Sequence, residues 1–404
     1  MKRLLLSAIC VIAALSFAQN ASAQVVQWDK IPVSQFESPD WPGRLVPADP
    51  AKMQKIDQVI PVRGLAIAAP MRDNVDQFCK FIEEELAPAH FNILVLRVDW
   101  NYAYESYPQL ADPNPLTKAD VKKIVAVCRK HGIQIAPQIN LLGHQSWGNT
   151  TYALLREFPE FDETPGISTD DFTTSTPYQD GLYCKSYCPL HPGVHKVVFA
   201  VVDEICDAFE SNWFHAGMDE VFFIGHDKCP RCAGIPKDKL YSDEVNRIHD
   251  HLAESNRRLM IWGDRCLNGS WQGTGIGYWE ASMNNTYNAI TMINKDVFIC
   301  DWHYDYSGLT AIQFAFNGLD VALCPYTNPV LAEQHLNDMI DWRTRQLQSG
   351  VREHFKGIVH TVWSPAEDFL KLYYDPKTYE VEKGRGGDAR SLKVLIERFK
   401  ELNK

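Results

Sequence analysis

Residues 91–139 contain the pattern that decides the fold: FNILVLRVD (91–99), then KADVKKIVAVCRKHG (118–132), then QIAPQI (134–139). The first and last runs are short and apolar, which is typical of buried strands. The middle run repeats apolar residues at helical spacing and ends in Lys130-His131-Gly132, a cationic last turn followed by a glycine that can close a helix. A strand, a helix and a strand in this order predict two parallel strands joined by a helical crossover.

The same alternation extends outward from residues 91–139 and predicts eight strands. Helical patterns such as Asn74–Leu86 separate them. The predicted strands are Arg63–Ala68, Phe91–Asp99, Gln134–Ile139, Trp213–Gly217, Leu259–Gly263, Val297–Trp302, Val321–Tyr326 and Gly357–Trp363. Eight strands fit an α/β fold of the (β/α)8 TIM-barrel type, with about 250 residues of core and the rest in loops. A doubly wound open sheet is the alternative, but no glycine-rich phosphate loop follows the first strand.

The first 23 residues have the pattern of a signal peptide. Met1-Lys2-Arg3 is a positive start, residues 4–17 are mostly apolar, and Ala21-Ser22-Ala23 is a small-residue cleavage signal. The apolar run is shorter than the about 20 residues of a spanning helix, and no later stretch is apolar enough to span a bilayer. We therefore expect an exported protein, periplasmic or secreted. The predicted division is a signal peptide (1–23), an N-terminal extension (24–61) and a single catalytic barrel domain with a C-terminal helical tail (62–404).

The composition narrows the class of ligand. Hydrophobic residues make up 45% and charged residues 23% of the chain, a globular balance that excludes a disordered or fibrous protein. Lys+Arg 40 against Asp+Glu 51 gives a net charge of −11. An acidic chain without basic runs is a poor nucleic-acid binder, because that binding needs clustered Lys and Arg. The 11 Trp and 16 Tyr instead favour a surface that stacks on a flat ligand. The sequence does not indicate an oligomeric state.

Polar and aromatic residues stand on the predicted strands or just beyond them, and barrel enzymes build their sites at the carboxyl ends of strands. In chain order they are Arg63, Asp99, Asn140, His144, Asp219, Glu220, Trp262, Asp264, Trp302, His303, Tyr304, Asp305, Tyr326 and Trp363. Carboxylates and an arginine among three tryptophans suit a pocket for a sugar ring. Indole faces pack on the C–H surfaces of a sugar, while the charged groups bind its hydroxyls.

The adjacent carboxylates Asp219 and Glu220 end the fourth predicted strand. Neighbours within a strand point to opposite faces, but both can turn over the barrel mouth once the ladder has ended. Two close carboxylates cannot comfortably both ionise, so we expect the pKa of one to be raised, which is the property that a general acid needs at neutral pH. The alternative is an ordinary Asp-Glu pair in a surface loop, which is common.

The segment His215-Ala-Gly-Met-Asp219-Glu220-Val221 resembles the His-x-Gly-Gly-Asp-Glu signature of glycoside hydrolase family 20, the β-N-acetylhexosaminidases. Further matching segments are Arg63-Gly64, Phe91-Asn92-Ile-Leu, residues 132–144, Trp262, Trp302 and Trp363-Ser364-Pro365. The resemblance covers roughly Val62 to Ala366 and is nearest to the small hexosaminidase D type. The chain departs from the family pattern at Met218, which we expect to narrow the approach beside the acid, and at Gln138 and Asn140, where the family often has acids.

The resemblance implies a hydrolase that removes β-linked N-acetylhexosamine, GlcNAc or GalNAc, from a glycan or glycoconjugate. The implied mechanism is retaining and substrate-assisted, through an oxazolinium intermediate, and it requires no metal or organic cofactor. Glu220 is implied as the general acid and base, and Asp219 as the group that orients the acetamide. The implied substrate-binding residues are Arg63, Asp99, His144, Trp262, Trp302, Tyr304, Tyr326 and Trp363. Arg63 would bind ring hydroxyls, His144 would support the carboxylates, and either tyrosine would hold the acetamide oxygen.

A non-catalytic glycan-binding barrel of the same fold is the alternative function. The departures at Met218, Gln138 and Asn140 keep this alternative open. The presence of both Asp219 and Glu220 argues against it, since a protein that only binds glycans would not need the pair.

Two closely spaced cysteine pairs stand apart from the other cysteines: Cys184-x3-Cys188 and Cys229-Pro-Arg-Cys232. Four thiols in two such pairs predict either a structural zinc site or one or two disulfides. Export to an oxidising compartment favours disulfides. The second pair begins nine residues after Glu220 (229 − 220), so either link would fasten the loop that carries the acid.

Overall fold

The computed structural model describes residues 34–168, 184–270, 276, 279–345, 349–375 and 386–404. Eight parallel strands close into a barrel, which confirms the predicted (β/α)8 fold. The barrel strands are β1 (Val62–Ala68), β2 (Ile93–Arg97), β3 (Gln134–Leu141), β4 (Trp213–Gly217), β5 (Arg258–Trp262), β6 (Phe298–Asp301), β7 (Asp320–Leu323) and β8 (Phe355–Thr361). β1 closes the barrel by pairing with β8, with Val62 opposite Gly357, and it pairs with β2, with Ala68 opposite Arg97. The predicted signal peptide lies outside the described residues.

Helices cover the outside of the barrel. The α-helices are α1 (Lys55–Val59), α2 (Val75–Phe81), α3 (Lys118–Lys130), α4 (Ala153–Glu157), α5 (Val194–Ala208), α6 (Lys237–Glu254), α7 (Thr310–Phe316), α8 (Pro329–Thr344), α9 (Ser349–Arg352), α10 (Ala366–Tyr374) and α11 (Gly387–Leu402). Thr117 and Asp120 begin α3 with a reciprocal capping box. Between β5 and β6 the described residues form two 3-10 turns, Asp264–Cys266 and Tyr287–Thr291, in place of an α-helix. Among the described helices, none combines the length and the apolar character that crossing a membrane requires.

Alternate residues of each strand fill the barrel, and the others pack against the helices. The inward-facing cluster includes Val62, Ala66, Ile93, Val95, Ala136, Trp213, Met260, Trp262, Phe298, Cys300, Ala322, Cys324 and Val359. Phe36 and Trp41, from the N-terminal extension, join this cluster, and Trp41 packs edge-on against Trp213 with ring centroids 5.1 Å apart. The extension therefore covers the amino-terminal end of the barrel, and the carboxyl-terminal end is left for a site.

Candidate active site

Asp219 and Glu220 lie directly beyond β4 at the carboxyl-terminal mouth, and each is only 8% exposed. The backbone around them is left-handed, with φ of 67° at Gly217, 69° at Met218 and 47° at Glu220. Such angles cost free energy in non-glycine residues and concentrate at functional sites. Gly217 is required here, because a Cβ would stand 2.4 Å from Asn140 Oδ1 on β3.

Met218 does not narrow the approach to the acid, contrary to the expectation from the sequence. Its side chain is fully buried in the outer hydrophobic cluster between strands and helices. Its carbonyl oxygen accepts a hydrogen bond from Tyr241 Oη at 2.9 Å. The departure from the family pattern thus affects the packing behind the site.

His144 joins the two carboxylates. It lies in the loop after β3 with φ of 52°, and its Nε2 is 3.2 Å from Asp219 Oδ2 and 3.2 Å from Glu220 Oε2. Burial acts to lower the pKa of His144, but Asp219 and Glu220 outweigh it and hold that pKa well above its usual value. Burial likewise acts to raise the pKa of Asp219, and His144 brings it below its usual value. The geometry therefore favours an imidazolium beside an ionised Asp219.

Asp264, just beyond β5, holds the backbone of Glu220. Its Oδ2 accepts hydrogen bonds from Glu220 N at 2.9 Å and from Arg265 Nε at 2.6 Å. Burial, reinforced by the charge of Asp219, raises the pKa of Asp264 to about 6. The sequence placed Asp264 at a strand end without a role. Its contacts show that it fixes the position of Glu220.

Five aromatic side chains form a wall along the carboxyl ends of β5 to β8. Centroid distances are 5.4 Å between Trp262 and Trp363, 5.1 Å between Trp302 and Tyr304, and 5.2 Å between Tyr304 and Tyr326. Trp363 Nε1 donates to Tyr304 Oη at 2.7 Å, which joins the two halves of the wall. Trp262 is fully buried, so it forms the base of the wall, and Trp302 and Trp363 lie nearer the solvent.

Arg97 is the last residue of β2 and continues the inward alternation of Ile93 and Val95, while Asp99 lies two residues beyond the strand. Arg97 Nη2 donates to the carbonyl oxygens of Val362 and Trp363, both at 3.1 Å, and its guanidinium lies 4.8 Å from the Trp363 ring centroid. Its Nε is buried and makes no hydrogen bond to another described residue. Asp99 accepts from Asn140 N at 2.8 Å and so holds the end of β3 beside Gly217. The sequence analysis did not assign a role to Arg97, although Ile93, Val95 and Arg97 share the period of two that would have placed it in the barrel.

Arg63 is not at the mouth, and its predicted role in binding ring hydroxyls is wrong. It is the second residue of β1, next to inward-facing Val62, so it points out of the barrel near the amino-terminal end. Its guanidinium donates to Asp57 Oδ1 at 2.9 Å and to the carbonyl oxygens of His90 and Ile60, both at 2.6 Å. The prediction failed because it treated a residue that begins a strand as one that ends it.

Cys184 is separated from the other three cysteines of the predicted cluster. Its thiol donates to Glu220 O at 3.4 Å and packs with Ile167, Phe222 and Phe223. Cys188, Cys229 and Cys232 lie together with Glu163, a residue that the sequence analysis did not single out. His144, Asp219 and Glu220 are also close enough to share an ion, but there the imidazolium already balances carboxylate charge.

Trp147 is a further residue that the sequence analysis missed. It lies in a two-stranded ribbon (Ser146–Trp147 with Thr150–Thr151) that follows β3. It is 44% exposed and stacks on His144 with ring centroids 5.9 Å apart. An exposed indole beside the carboxylates is suited to contact a ligand that extends out of the mouth.

Comparison with known proteins gives one family. The model of "Glycosyl hydrolase family 20, catalytic domain" matches residues 96–369. Curated relatives include a beta-hexosaminidase of Vibrio furnissii, 24% identical over 233 residues, and one of Akkermansia muciniphila, 30% identical over 139 residues. These alignments cover 56% and 34% of this chain but only 33% and 26% of the relatives.

Among solved structures, Flavobacterium johnsoniae chitobiase is similar to this chain, with a TM-score of 0.56 and 17% identity. That alignment covers 84% of this chain and 52% of the chitobiase. At this level of identity the likeness supports the barrel fold.

Proposed function

Since the chain belongs to glycosyl hydrolase family 20, we propose that it removes β-linked N-acetylhexosamine, GlcNAc or GalNAc, from glycans. The observation that carries this proposal is the arrangement of His144 between Asp219 and Glu220 at a barrel mouth that is also lined by the aromatic wall. Paired carboxylates supply acid–base chemistry, and indole faces suit a sugar ring and its acetamide methyl.

The proposed mechanism is retaining and assisted by the substrate. The 2-acetamido oxygen attacks the anomeric carbon while Glu220 protonates the glycosidic oxygen, and the leaving group departs. The resulting oxazolinium is opened by a water molecule that Glu220 deprotonates. The hydrogen bond from Glu220 N to Asp264 fixes the backbone of this acid.

Asp219 is proposed to orient the acetamide and to stabilise its developing positive charge. Its lowered pKa keeps it ionised, and its buried Oδ1 makes no hydrogen bond to another described residue. A buried acceptor without a partner is costly, and an acetamide N–H would satisfy it. His144 holds the other oxygen of Asp219, so the carboxylate cannot rotate freely.

The aromatic wall is proposed to enclose the acetamide. Trp302 and Trp363 would pack on the methyl group, with Trp262 as their base. We assign the hydrogen bond to the acetamide oxygen to Tyr304, because Tyr304 lies between Trp302 and Tyr326 and accepts from Trp363. Arg97 would take the hydroxyl-binding role first given to Arg63, since a sugar hydroxyl would satisfy its buried Nε–H.

Aryl glycosides test the activity. We expect hydrolysis of aryl N-acetyl-β-glucosaminide or N-acetyl-β-galactosaminide and none of the aryl β-glucoside. Binding of the N-acetylated sugar without turnover would instead identify a glycan-binding barrel. Hydrolysis of the glucoside at a similar rate would identify a hydrolase that does not use the acetamide.

A graded series of acetamides tests the mechanism. Each fluorine added to the acetyl methyl withdraws electron density from the nucleophilic oxygen with little change in size, so the rate should fall stepwise. A ring-fused thiazoline, which resembles the intermediate, should inhibit more tightly than substrate binds. A rate indifferent to fluorination would contradict substrate assistance.

The proposed site of action is outside the cytoplasm, in the periplasm or the medium, on the basis of the N-terminal pattern of residues 1–23. Expression of the full chain and sequencing of the mature amino terminus tests it. We expect the mature chain to begin at Gln24, and an uncleaved chain would contradict export by this route.

A further inference from the structure

Three thiols and one carboxylate converge behind the active site. Cys188 Sγ lies 3.4 Å from Cys232 Sγ and 3.5 Å from Cys229 Sγ. Together with a carboxylate oxygen of Glu163, these sulfur atoms lie within 4.8 Å of one another, and all four residues are buried. The group includes neither Asp219 nor Glu220.

The carboxylate of Glu163 contacts the thiols of Cys229 and Cys232, and no cationic side chain among the described residues pairs with it. Glu163 is fully buried, its Oε1 accepts from His226 N at 3.2 Å, and its Oε2 makes no hydrogen bond of standard geometry to another described residue. Buried carboxylates are normally paired or bound to a metal ion.

The thiols are arranged for coordination rather than for pairing. Cys188 is almost equally distant from Cys229 and Cys232, so one disulfide would leave an odd thiol beside Glu163. Cys232 N donates to Cys229 Sγ at 3.3 Å within the Cys-Pro-Arg-Cys turn. The turn therefore presents two sulfur atoms within 3.5 Å of Cys188 Sγ, which suits joint coordination of one ion.

We propose that Cys188, Cys229, Cys232 and Glu163 bind one Zn²⁺ in a closed tetrahedral site. Three thiolates select zinc over magnesium or calcium, which take oxygen ligands. Four protein ligands leave no open position for a substrate or water, so the ion is structural. The proposal does not depend on the glycosidase activity.

The site would fasten together the two loops that carry the catalytic groups. Glu163 and Cys188 belong to the segment between β3 and α5, which also carries His144. Cys229 and Cys232 belong to the loop between β4 and α6, which begins with Asp219 and Glu220. Cys184 Sγ adds a contact to Glu220 O between the same two segments. Zinc would thus keep His144 in contact with the carboxylates of both Asp219 and Glu220.

Metal analysis of the purified full-length protein, expressed with added zinc, tests the site. We expect about one zinc ion per chain in the wild type, in Cys79→Ser and in Cys184→Ser, and loss of zinc in Cys229→Ser and Cys232→Ser. Cys79, on α2, is the matched control outside the cluster. Equal loss of zinc in Cys184→Ser would overturn the assignment of Glu163 as the fourth ligand.

Wild-type protein supplies a test that does not depend on variant folding. Thiol alkylation followed by peptide mapping should label Cys188, Cys229 and Cys232 only after a chelator has removed the metal. Cobalt substitution should give the sulfur-to-metal charge-transfer absorption of a thiolate site. Protein without zinc, in which mapping finds a disulfide between two of these cysteines, would overturn the proposal.

Discussion

The amino-terminal and carboxyl-terminal ends of the barrel each bury arginine and aspartate side chains, and they satisfy them differently. At the amino-terminal end, Arg63 pairs with Asp57 at 2.9 Å. Asp320, at the start of β7, has Arg258 Nη2 at 2.9 Å and Lys356 Nζ at 3.2 Å. Although burial acts to raise the pKa of Asp320, these cations hold it far below its usual range.

At the carboxyl-terminal end the pairing is incomplete, although Arg265 contacts Asp264 and His144 contacts Asp219 and Glu220. Burial raises the pKa values of Asp99 and Asp264, the latter to about 6. Arg97 Nε and Asp219 Oδ1 are buried and make no hydrogen bonds to other described residues. The difference indicates that the buried charges at the amino-terminal end serve stability. The carboxyl-terminal end retains polar groups without hydrogen bonds, and a ligand can satisfy them. Variants at the two ends should therefore separate activity from stability.

The largest effect is expected at Glu220. Glu220→Gln removes the proton donor, so kcat for a natural glycoside should fall by about 10³-fold or more. Aryl glycosides with very acidic leaving groups need no proton and should lose far less. Thermal unfolding should stay close to that of the wild type. Equal losses on both substrate types would show that Glu220 is not the acid.

The next effect is expected at Asp219. Asp219→Asn removes the charge that supports the oxazolinium, and we expect a loss of roughly 10²-fold in kcat. The dependence of the rate on acetamide fluorination should also become shallower. An unchanged fluorination series would assign Asp219 a role outside the first step.

Arg97 and Arg63 give the sharpest test of the difference between the two ends of the barrel. Arg97→Met should lower kcat/KM by about 10-fold or more, since one buried hydrogen bond to a charged group is worth about 1.5–3 kcal/mol. Arg63→Met should leave kcat/KM of the folded enzyme unchanged and reduce stability by about 3–5 kcal/mol, because Asp57 loses its partner. Urea unfolding and steady-state kinetics on both variants measure this. Loss of activity in folded Arg63→Met would contradict the assignment of function to one end.

The eight strands and the carboxylate pair were predictable from the sequence because both are local patterns. Alternating apolar runs specify strands, and Asp219-Glu220 follows directly from β4. Residues whose role depends on facing direction or on distant loops were not predictable in this way. Arg63 and Arg97 differ in direction and strand end, and Glu163 joins Cys188, Cys229 and Cys232 only after two long loops have folded together. The predicted strands Arg63–Ala68 and Phe91–Asp99 lie within two residues of the observed bounds, so the missing information was the direction in which each arginine side chain points.

A smaller effect should separate the two tyrosines of the aromatic wall. Tyr304→Phe removes the proposed donor to the acetamide oxygen and the acceptor of Trp363 Nε1, and we expect a roughly 10-fold loss in kcat. Tyr326→Phe serves as the matched control, because it keeps the ring contact with Tyr304 at 5.2 Å. A larger loss of kcat in Tyr326→Phe than in Tyr304→Phe would assign the hydrogen bond to the acetamide oxygen to Tyr326 instead.

The smallest effect concerns His144 and the pH dependence of stability. Its pKa is raised on folding above an unfolded value of about 6.5, so its stabilising contribution is complete below that pH and is lost as pH rises toward the folded pKa. The unfolding free energy of wild type minus that of His144→Gln should therefore be constant at mildly acidic pH. It should then decline at alkaline pH by at most about 1.4 kcal/mol per pH unit. Urea unfolding of both proteins from about pH 5.5 to about pH 8.5 spans the change. A difference that stays constant over the whole range would mean that folding does not shift the pKa of His144. A difference that rises with pH would mean that His144 is neutral in the folded protein, and the charge that balances Asp219 and Glu220 would then have to come from elsewhere.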